Sequence, residues 1–368
     1  MDWSKFFRTN LEQVLAYQPG LREEQIREIA QVDTIHKLSS NESPLPPFDS
    51  ALAAMAAKLV ELNEYPDGSA HELTQLLAWH YGVPPEQIVC GNGSNELIDN
   101  IAETCLQPGD NVVYCWPSFI VYRSSAQIAG AEYREVALRP DGVFDLDAML
   151  AQVDEHTKIV YVCSPNNPSG GIVTAAEFER FLAALPEQVL VVVDAAYEEF
   201  IDTDTPEGAA ALQSTAFFDG QRPLVALKTF SKMYALAGIR CGYGLVPEPL
   251  AEYLHKVREP FNVNTVAQAG ARACLEDDAE VARRRALNAA GRARLYRCFE
   301  ALGLPFYRSQ ANFVWVEVPT PAATFDELLQ RGVIVRSFPG THGLRVGVGD
   351  ESGVDATVAA FEELFGEQ

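Results

Sequence analysis

Between residues 87 and 246 the chain repeats one pattern, a short and almost wholly apolar run followed by a longer stretch with apolar positions at helical spacing. The runs are QIVCG (87–91), NVVYC (111–115), AEYREV (131–136), KIVYVC (158–163), VLVVVD (189–194), LVALK (224–228) and GYGLV (242–246). They are too short for helices and mostly rich in β-branched or aromatic residues, so each is predicted as a strand. VLVVVD is apolar at consecutive positions, which suits a strand covered by helices on both faces. Strands alternating with amphipathic helices predict a large α/β domain around a mostly parallel seven-stranded sheet.

The flanks read differently. REEQIREIA (22–30) has helical periodicity, and SSNESPLPPFD (39–49) reads as a linker. SALAAMAAKLVEL (50–62) and AHELTQLLAWHYG (70–82) are predicted helices, the second stopped by Gly82. Towards the other end, residues 277–303 are strongly helical. NFVWVEV (312–318), GVIVR (332–336) and GLRVGVG (343–349) are short predicted strands, and GVDATVAAFEELF (353–365) is a closing helix. The expected organisation is an N-terminal arm and linker over 1–48 packing with the small domain. A large α/β domain over 49–255 and a small α+β domain over 256–368 follow.

Composition narrows the function. A chain of 368 residues suits two unequal domains. A formal charge of −23 argues against nucleic-acid and acidic-membrane partners, which need a basic footprint. The seven cysteines form no CxxC pair and sit largely in apolar runs, as expected in a reducing cytoplasm. The six histidines show no HExxH pairing, so no structural metal is expected. MDWSKFFRTN lacks the apolar core of a signal peptide, and no apolar stretch is long enough to cross a bilayer. A cytoplasmic protein is expected.

Open α/β sheets bind ligands beyond the carboxyl ends of their strands, so the residues just past each run carry the candidate chemistry. GNGSNE (91–96) opens a helical stretch. Its small residues let backbone N–H groups converge on an anion, although Gly93, Ser94 and Asn95 equally suit a turn and N-cap. It is not a P-loop, and Glu96 stands where a dinucleotide fingerprint needs its third glycine. SPNNPSG (164–170) is a polar turn with two asparagines. Asp194, in DAAYEEF (194–200), ends an apolar run and needs a partner unless it caps a helix. Past LVALK comes TFSKMYALAGIR (229–240). Lys228 continues the strand and is expected to be solvated or snorkelling, whereas Lys232 lies beyond it among Thr229 and Ser231.

One cofactor uses all of these groups. A lysine amine forms an imine with an aldehyde, and a carboxylate beside a pyridine nitrogen keeps that ring protonated as an electron sink. An Asn and a Tyr can hold a ring hydroxyl, and a phosphate needs N–H groups, hydroxyls and an Arg. Those are the requirements of pyridoxal 5'-phosphate.

SPNNPSG, VVVDAAYEEF and TFSKMYALAGIRCGYG together resemble the class I/II aminotransferases of pyridoxal-phosphate fold type I, and the resemblance covers nearly the whole chain. YQPG (17–20), LSSNESP (38–44), EYPDG (64–68), GNGSNELI (91–98) and REPFNVN (258–264) are most similar to the histidinol-phosphate branch of that family. The resemblance implies that Lys232 is the Schiff-base lysine and proton carrier and that Asp194 pairs with the pyridine nitrogen. It implies that Asn167 and Tyr197 hold the ring oxygen. Gly93, Ser94, Asn95, Thr229, Ser231 and Arg240 would form the phosphate cradle, with Phe119 stacking on the ring. Tyr65 would reach the phosphate of a neighbouring subunit, which implies a homodimer. Arg345 would clamp the carboxylate of glutamate, and Arg336 with Arg345 the phosphate of the substrate. Tyr17 and Asn41 would close the pocket. Ala195 stands where the family often has Glu, at a position that does not face the ring nitrogen. The implied activity is ping-pong transfer from histidinol phosphate to 2-oxoglutarate in histidine biosynthesis. Aromatic amino-acid transamination and a threonine-phosphate decarboxylase-like lyase are the alternatives.

Overall fold

The computed structural model describes residues 1, 3–16, 23–30, 32–338 and 340–366. Its strands, in chain order, are β1 (His36–Lys37), β2 (Ile88–Gly91), β3 (Asn111–Trp116), β4 (Glu132–Ala137), β5 (Thr157–Cys163), β6 (Leu190–Asp194), β7 (Leu224–Thr229), β8 (Gly242–Leu245), β9 (Phe313–Glu317), β10 (Val333–Ile334), β11 (Arg336–Ser337) and β12 (Gly343–Gly347). The seven predicted runs of the large domain are β2 to β8, and all belong to one sheet of order β2-β8-β7-β6-β5-β3-β4. Only β8 runs against the rest. The sheet is therefore mostly parallel, and it has the expected number of strands.

The apolar runs of β5 and β6 are buried because each face of the sheet carries its own core. On one side Tyr114, Tyr161, Val192 and Leu227 pack among Leu97, Ile101 and Tyr122. On the other, Cys90, Ala226 and Tyr243 pack with Met55, Leu73, Ala267 and Phe230. The helix Thr265–Leu275 contributes Ala267, Ala271 and Cys274 to this second core. A third core lies in the C-terminal region, between the sheet β11-β12-β9 and the helices Asp278–Ala301 and Glu351–Phe365. Among the described residues no helix is long and apolar enough to cross a membrane.

Two expectations need correction. GVIVR is not one strand. Val333–Ile334 pairs in parallel with His36–Lys37 of the arm, whereas Arg336–Ser337 joins β12 in an antiparallel ladder. A five-residue apolar run carries no mark of which neighbour each residue pairs with, so the break at Val335 is a tertiary decision. Lys228, expected in solvent, is 4% exposed. Two glutamates that follow β6 draw it inward, as described below.

Register explains why one edge of the large sheet holds the polar turns. Gly242 lies opposite Gly91 on one side and Thr229 on the other. The end of β2, the end of β7 and the start of β8 therefore meet. A Cβ at Gly242 would stand 2.4 Å from the backbone nitrogen of Ser94, so only glycine lets β8 pass under the helix that starts there. The ends of β5 and β6 lie at the same edge, Cys163 opposite Asp194.

Candidate active site

The helix Ser94–Cys105 begins at this edge, and its first N–H groups lack intrahelical partners. Its N-cap is Gly93, at φ +85°, where a Cβ would come within 2.3 Å of Arg240 Nη2. A guanidinium thus lies against a helix N-terminus, and both favour an anion. Arg240 Nη1 donates to Ser231 Oγ at 3.2 Å, and Thr229 Oγ1 accepts the Ser231 N–H at 3.1 Å. Asn95 turns its Nδ2 to Asp99 at 2.9 Å, which leaves its backbone N–H for the nest.

Asp194 is buried beneath this edge. Its Oδ2 accepts from Tyr122 OH at 2.6 Å and its Oδ1 from the Ala196 N–H at 3.2 Å. Both donors are neutral, and burial raises the carboxyl above the ordinary Asp range despite them. A carboxylate so placed fits a cationic N–H partner. Tyr122 escaped sequence reasoning. Its place in WPSFIVY, three residues after Phe119, is the only signal, and the two rings meet edge-on at 5.8 Å.

Lys232 stands between these groups. Its Nζ donates to the Ser40 carbonyl at 3.1 Å and lies 5.8 Å from the centre of the Tyr197 ring. Burial foremost, and then the Arg345 charge, lowers its amine to about 8. Tyr197 OH accepts from Asn41 Nδ2 at 2.9 Å. Burial raises this phenol as well, so the hydroxyl keeps its proton near neutrality. Asn41 itself sits at φ +53° in the segment read as a linker, and its Oδ1 is buried without a hydrogen bond. Such an orphaned acceptor fits a ligand donor.

Arg345 reaches the same place from β12, donating to Asn167 Oδ1 and to the Ser39 carbonyl. Arg336 lies opposite it across the ladder and is half-buried. Lys232, Asp194, Tyr197, Asn167, Asn41, Arg345, Ser231, Arg240 and Gly93 are thus brought together by contact or by charge. Phe119 joins through Tyr122. Tyr65 stands apart, 82% exposed and stacked on Phe261 at 4.7 Å. Tyr17 lies outside the described residues.

The residues present fit pyridoxal phosphate. The nest of Gly93 and Arg240 suits a phosphate, the buried acid suits a pyridinium, and an amine of lowered basicity suits an aldehyde.

Known proteins give the same picture. The family model "aminotransferase class I and II" matches residues 33–361. The chain is 40% identical to a histidinol-phosphate aminotransferase of Geobacillus thermodenitrificans, over 96% of each chain. It is 41% identical to histidinol-phosphate aminotransferase 2 of Pseudomonas aeruginosa, over 95% of this chain and 94% of the other. The solved histidinol-phosphate aminotransferase of Sinorhizobium meliloti, in complex with pyridoxal 5'-phosphate, superimposes with a TM-score of 0.87 at 27% identity. That match covers 98% of this chain and 97% of the other.

Proposed function

This chain belongs to the aminotransferases of class I and II, and from that premise we propose that it transfers the amino group of histidinol phosphate to 2-oxoglutarate, with pyridoxal phosphate as cofactor, in histidine biosynthesis. When bound, the cofactor supplies an aldehyde that condenses with amines and a ring that takes up electrons. The rest of the work falls to the chain's own residues.

Lys232 Nζ is the covalent anchor and the base. With its basicity lowered to about 8, a useful fraction is free amine near neutrality, able to take the α-proton of the donor and return it. Asp194 would accept the ring N–H, its oxygens held in place by Tyr122 and the Ala196 N–H. Tyr197 and Asn167 would hold the ring oxygen, and Phe119 would cover a ring face. Ser94 and Asn95 with their N–H groups, together with Ser231, Arg240 and the glycine at 93, would hold the phosphate. Thr229 keeps Ser231 in register. Arg345 forks onto the substrate carboxylate, and Arg336 with Arg345 binds the phosphate of histidinol phosphate. Asn41 closes the pocket.

The domain division at 48 and 255 is part of this reading. The pairing of His36–Lys37 with Val333–Ile334 supports an arm that moves with the smaller unit. We assign the protein to the cytoplasm and to a homodimer in which Tyr65 serves the partner's phosphate. The exposure of Tyr65 in the single chain supports that assignment.

The observation that carries the reading is the amine of Lys232 standing 5.8 Å from the ring of the oriented phenol Tyr197 and within reach of the charge of the buried acid Asp194. Assaying histidinol phosphate, phenylalanine and threonine phosphate separately, with 2-oxoglutarate, tests it. Parallel-line kinetics with histidinol phosphate are expected. Fast turnover of phenylalanine with none of histidinol phosphate, or decarboxylation of threonine phosphate, would overturn the substrate assignment.

A further inference from the structure

A second ionic cluster lies behind the site, on the other face of the sheet. Lys228 Nζ pairs with Glu198 Oε1 at 2.7 Å and with Glu199 Oε1 at 2.9 Å, and all three side chains are at most 10% exposed. Glu198 Oε2 accepts the Ser214 N–H at 2.7 Å, and Glu199 Oε2 is buried without a hydrogen bond. Aromatic residues surround the cluster. Tyr243 lies opposite Lys228 in the ladder, and its hydroxyl meets that of Tyr81 at 2.7 Å. Burying three charges among tyrosines opposes stability, and apolar side chains of similar volume would fill the same space as well or better. The cluster therefore calls for a role that needs direction rather than bulk.

Its two ends supply one. Glu198 and Glu199 directly follow Tyr197 and form the short turn Glu198–Phe200, which Tyr197 caps through its carbonyl. Lys228 precedes Thr229, Ser231 and Lys232 by one, three and four residues. The same turn is gripped from the C-terminal region, where Arg285 Nε donates to the Glu199 carbonyl at 2.7 Å. We infer that Lys228 is a positioning residue for the transfer reaction, its ammonium locking the turn that carries Tyr197 to the strand that delivers Lys232. The backbone alone leaves a gap in this lock. Ala195 N–H donates to the Leu227 carbonyl at 2.9 Å, after which the two segments diverge towards their separate functional groups. The charged pairs close that gap from behind and set the Tyr197 hydroxyl relative to the Lys232 amine.

This inference rests on the aminotransferase reading and is tested within it. Three variants serve: Lys228→Met, Lys228→Arg, and Lys228→Met combined with Glu198→Gln and Glu199→Gln. The triple variant removes every charge of the cluster, so it keeps the fold where Lys228→Met alone strands two carboxylates. Five quantities are read: the melting temperature, kcat and KM for histidinol phosphate, the affinity of cofactor-free protein for pyridoxal phosphate, and the pH midpoint of the bound cofactor's absorbance. The triple variant is expected to melt near the wild type. Its kcat should fall by about tenfold or more, with KM changed by less than about twofold and the absorbance midpoint displaced. Arginine at 228 should recover most of kcat. A triple variant with wild-type melting, kcat, cofactor affinity and absorbance midpoint would make the cluster purely structural and overturn the inference. Wild-type protein run beside it separates the two failures. If the wild type itself does not transaminate with pyridoxal phosphate, the functional reading falls, whereas an active wild type beside an unimpaired triple variant sinks only the role of Lys228.

Discussion

Tyr122→Phe removes one oxygen from the interior and leaves every carbon in place. The lost bond is short, 2.6 Å, between a phenol with no exposed surface and a carboxyl that is 3% exposed. Asp194 then keeps a single donor, the Ala196 N–H at 3.2 Å. A hydrogen bond to an ionised partner contributes about 1.5–3 kcal/mol, and one between neutral groups about 0.5–1.5 kcal/mol. With Asp194→Asn the Tyr122 bond becomes neutral, so the coupling between the two sites should be about 1–2 kcal/mol. The sign with pH follows from linkage. Burial raises the Asp194 carboxyl, so the folded, cofactor-free protein retains a proton that the unfolded chain has already lost. Stability therefore falls as pH rises from about 4, the ordinary Asp value, through the folded value. Tyr122 favours the charged form, so deleting it raises the folded value further and widens that window. The deficit of Tyr122→Phe should therefore grow as pH rises through the wild type's folded value and level off above the variant's higher one, the unfolded value being common to both proteins. Urea unfolding of the cofactor-free wild type, both single variants and the double variant gives the cycle directly. A coupling below about 0.5 kcal/mol at a pH above the folded value of Asp194, or a deficit independent of pH, would refute this account.

Other expectations concern the neighbouring groups. Gly93→Ala places a methyl where Arg240 Nη2 now lies and forces a non-glycine residue to φ +85°. It should weaken stability by about 1–2 kcal/mol and cofactor binding by about tenfold, measured by titrating the cofactor-free protein. Acylation of Lys232 in cofactor-free protein, followed by peptide mapping, should rise with pH about a midpoint near 8, because burial and Arg345 depress the amine. A midpoint near the ordinary value of about 10.4 would contradict that environment. Borohydride treatment of the holoenzyme should fix the cofactor on the peptide containing Lys232, and Lys232→Ala should abolish the labelling while Lys228→Arg retains it. Arg345→Lys loses the fork that reaches both Asn167 and the Ser39 carbonyl, so KM for glutamate should rise by about tenfold or more.

Much of this molecule is legible along the chain because its signals are local. The apolar runs of β5, β6 and β7 each bury both faces, so their composition alone marks them as central strands. The polar turns follow those strands immediately, and a parallel sheet necessarily gathers the strand ends at one edge. That rule is enough to place Asp194, Lys232 and the nest at Gly93 in one site. Gly82 likewise ends its helix at φ +66°, as a residue without a Cβ readily does.

Contacts between distant segments are a different matter. Lys228 reads as an ordinary strand-end lysine because the glutamates that bury it lie about thirty residues earlier, where only folding brings them near. Tyr122 and Asp194 are 72 residues apart, and Asn41 and Tyr197 are 156 apart. Nothing in either local pattern announces the other. The split of GVIVR has the same origin, since β1 claims one half and β12 the other. Periodicity reports how a segment meets an apolar or aqueous surface, whereas an ion pair, a hydrogen bond or a strand partner depends on which surface arrives. The chain's own order determined the layered α/β architecture and the groups available for catalysis. Only tertiary packing decided which charges are buried, which oxygens are held, and how Lys232, Asp194 and Tyr197 face one another.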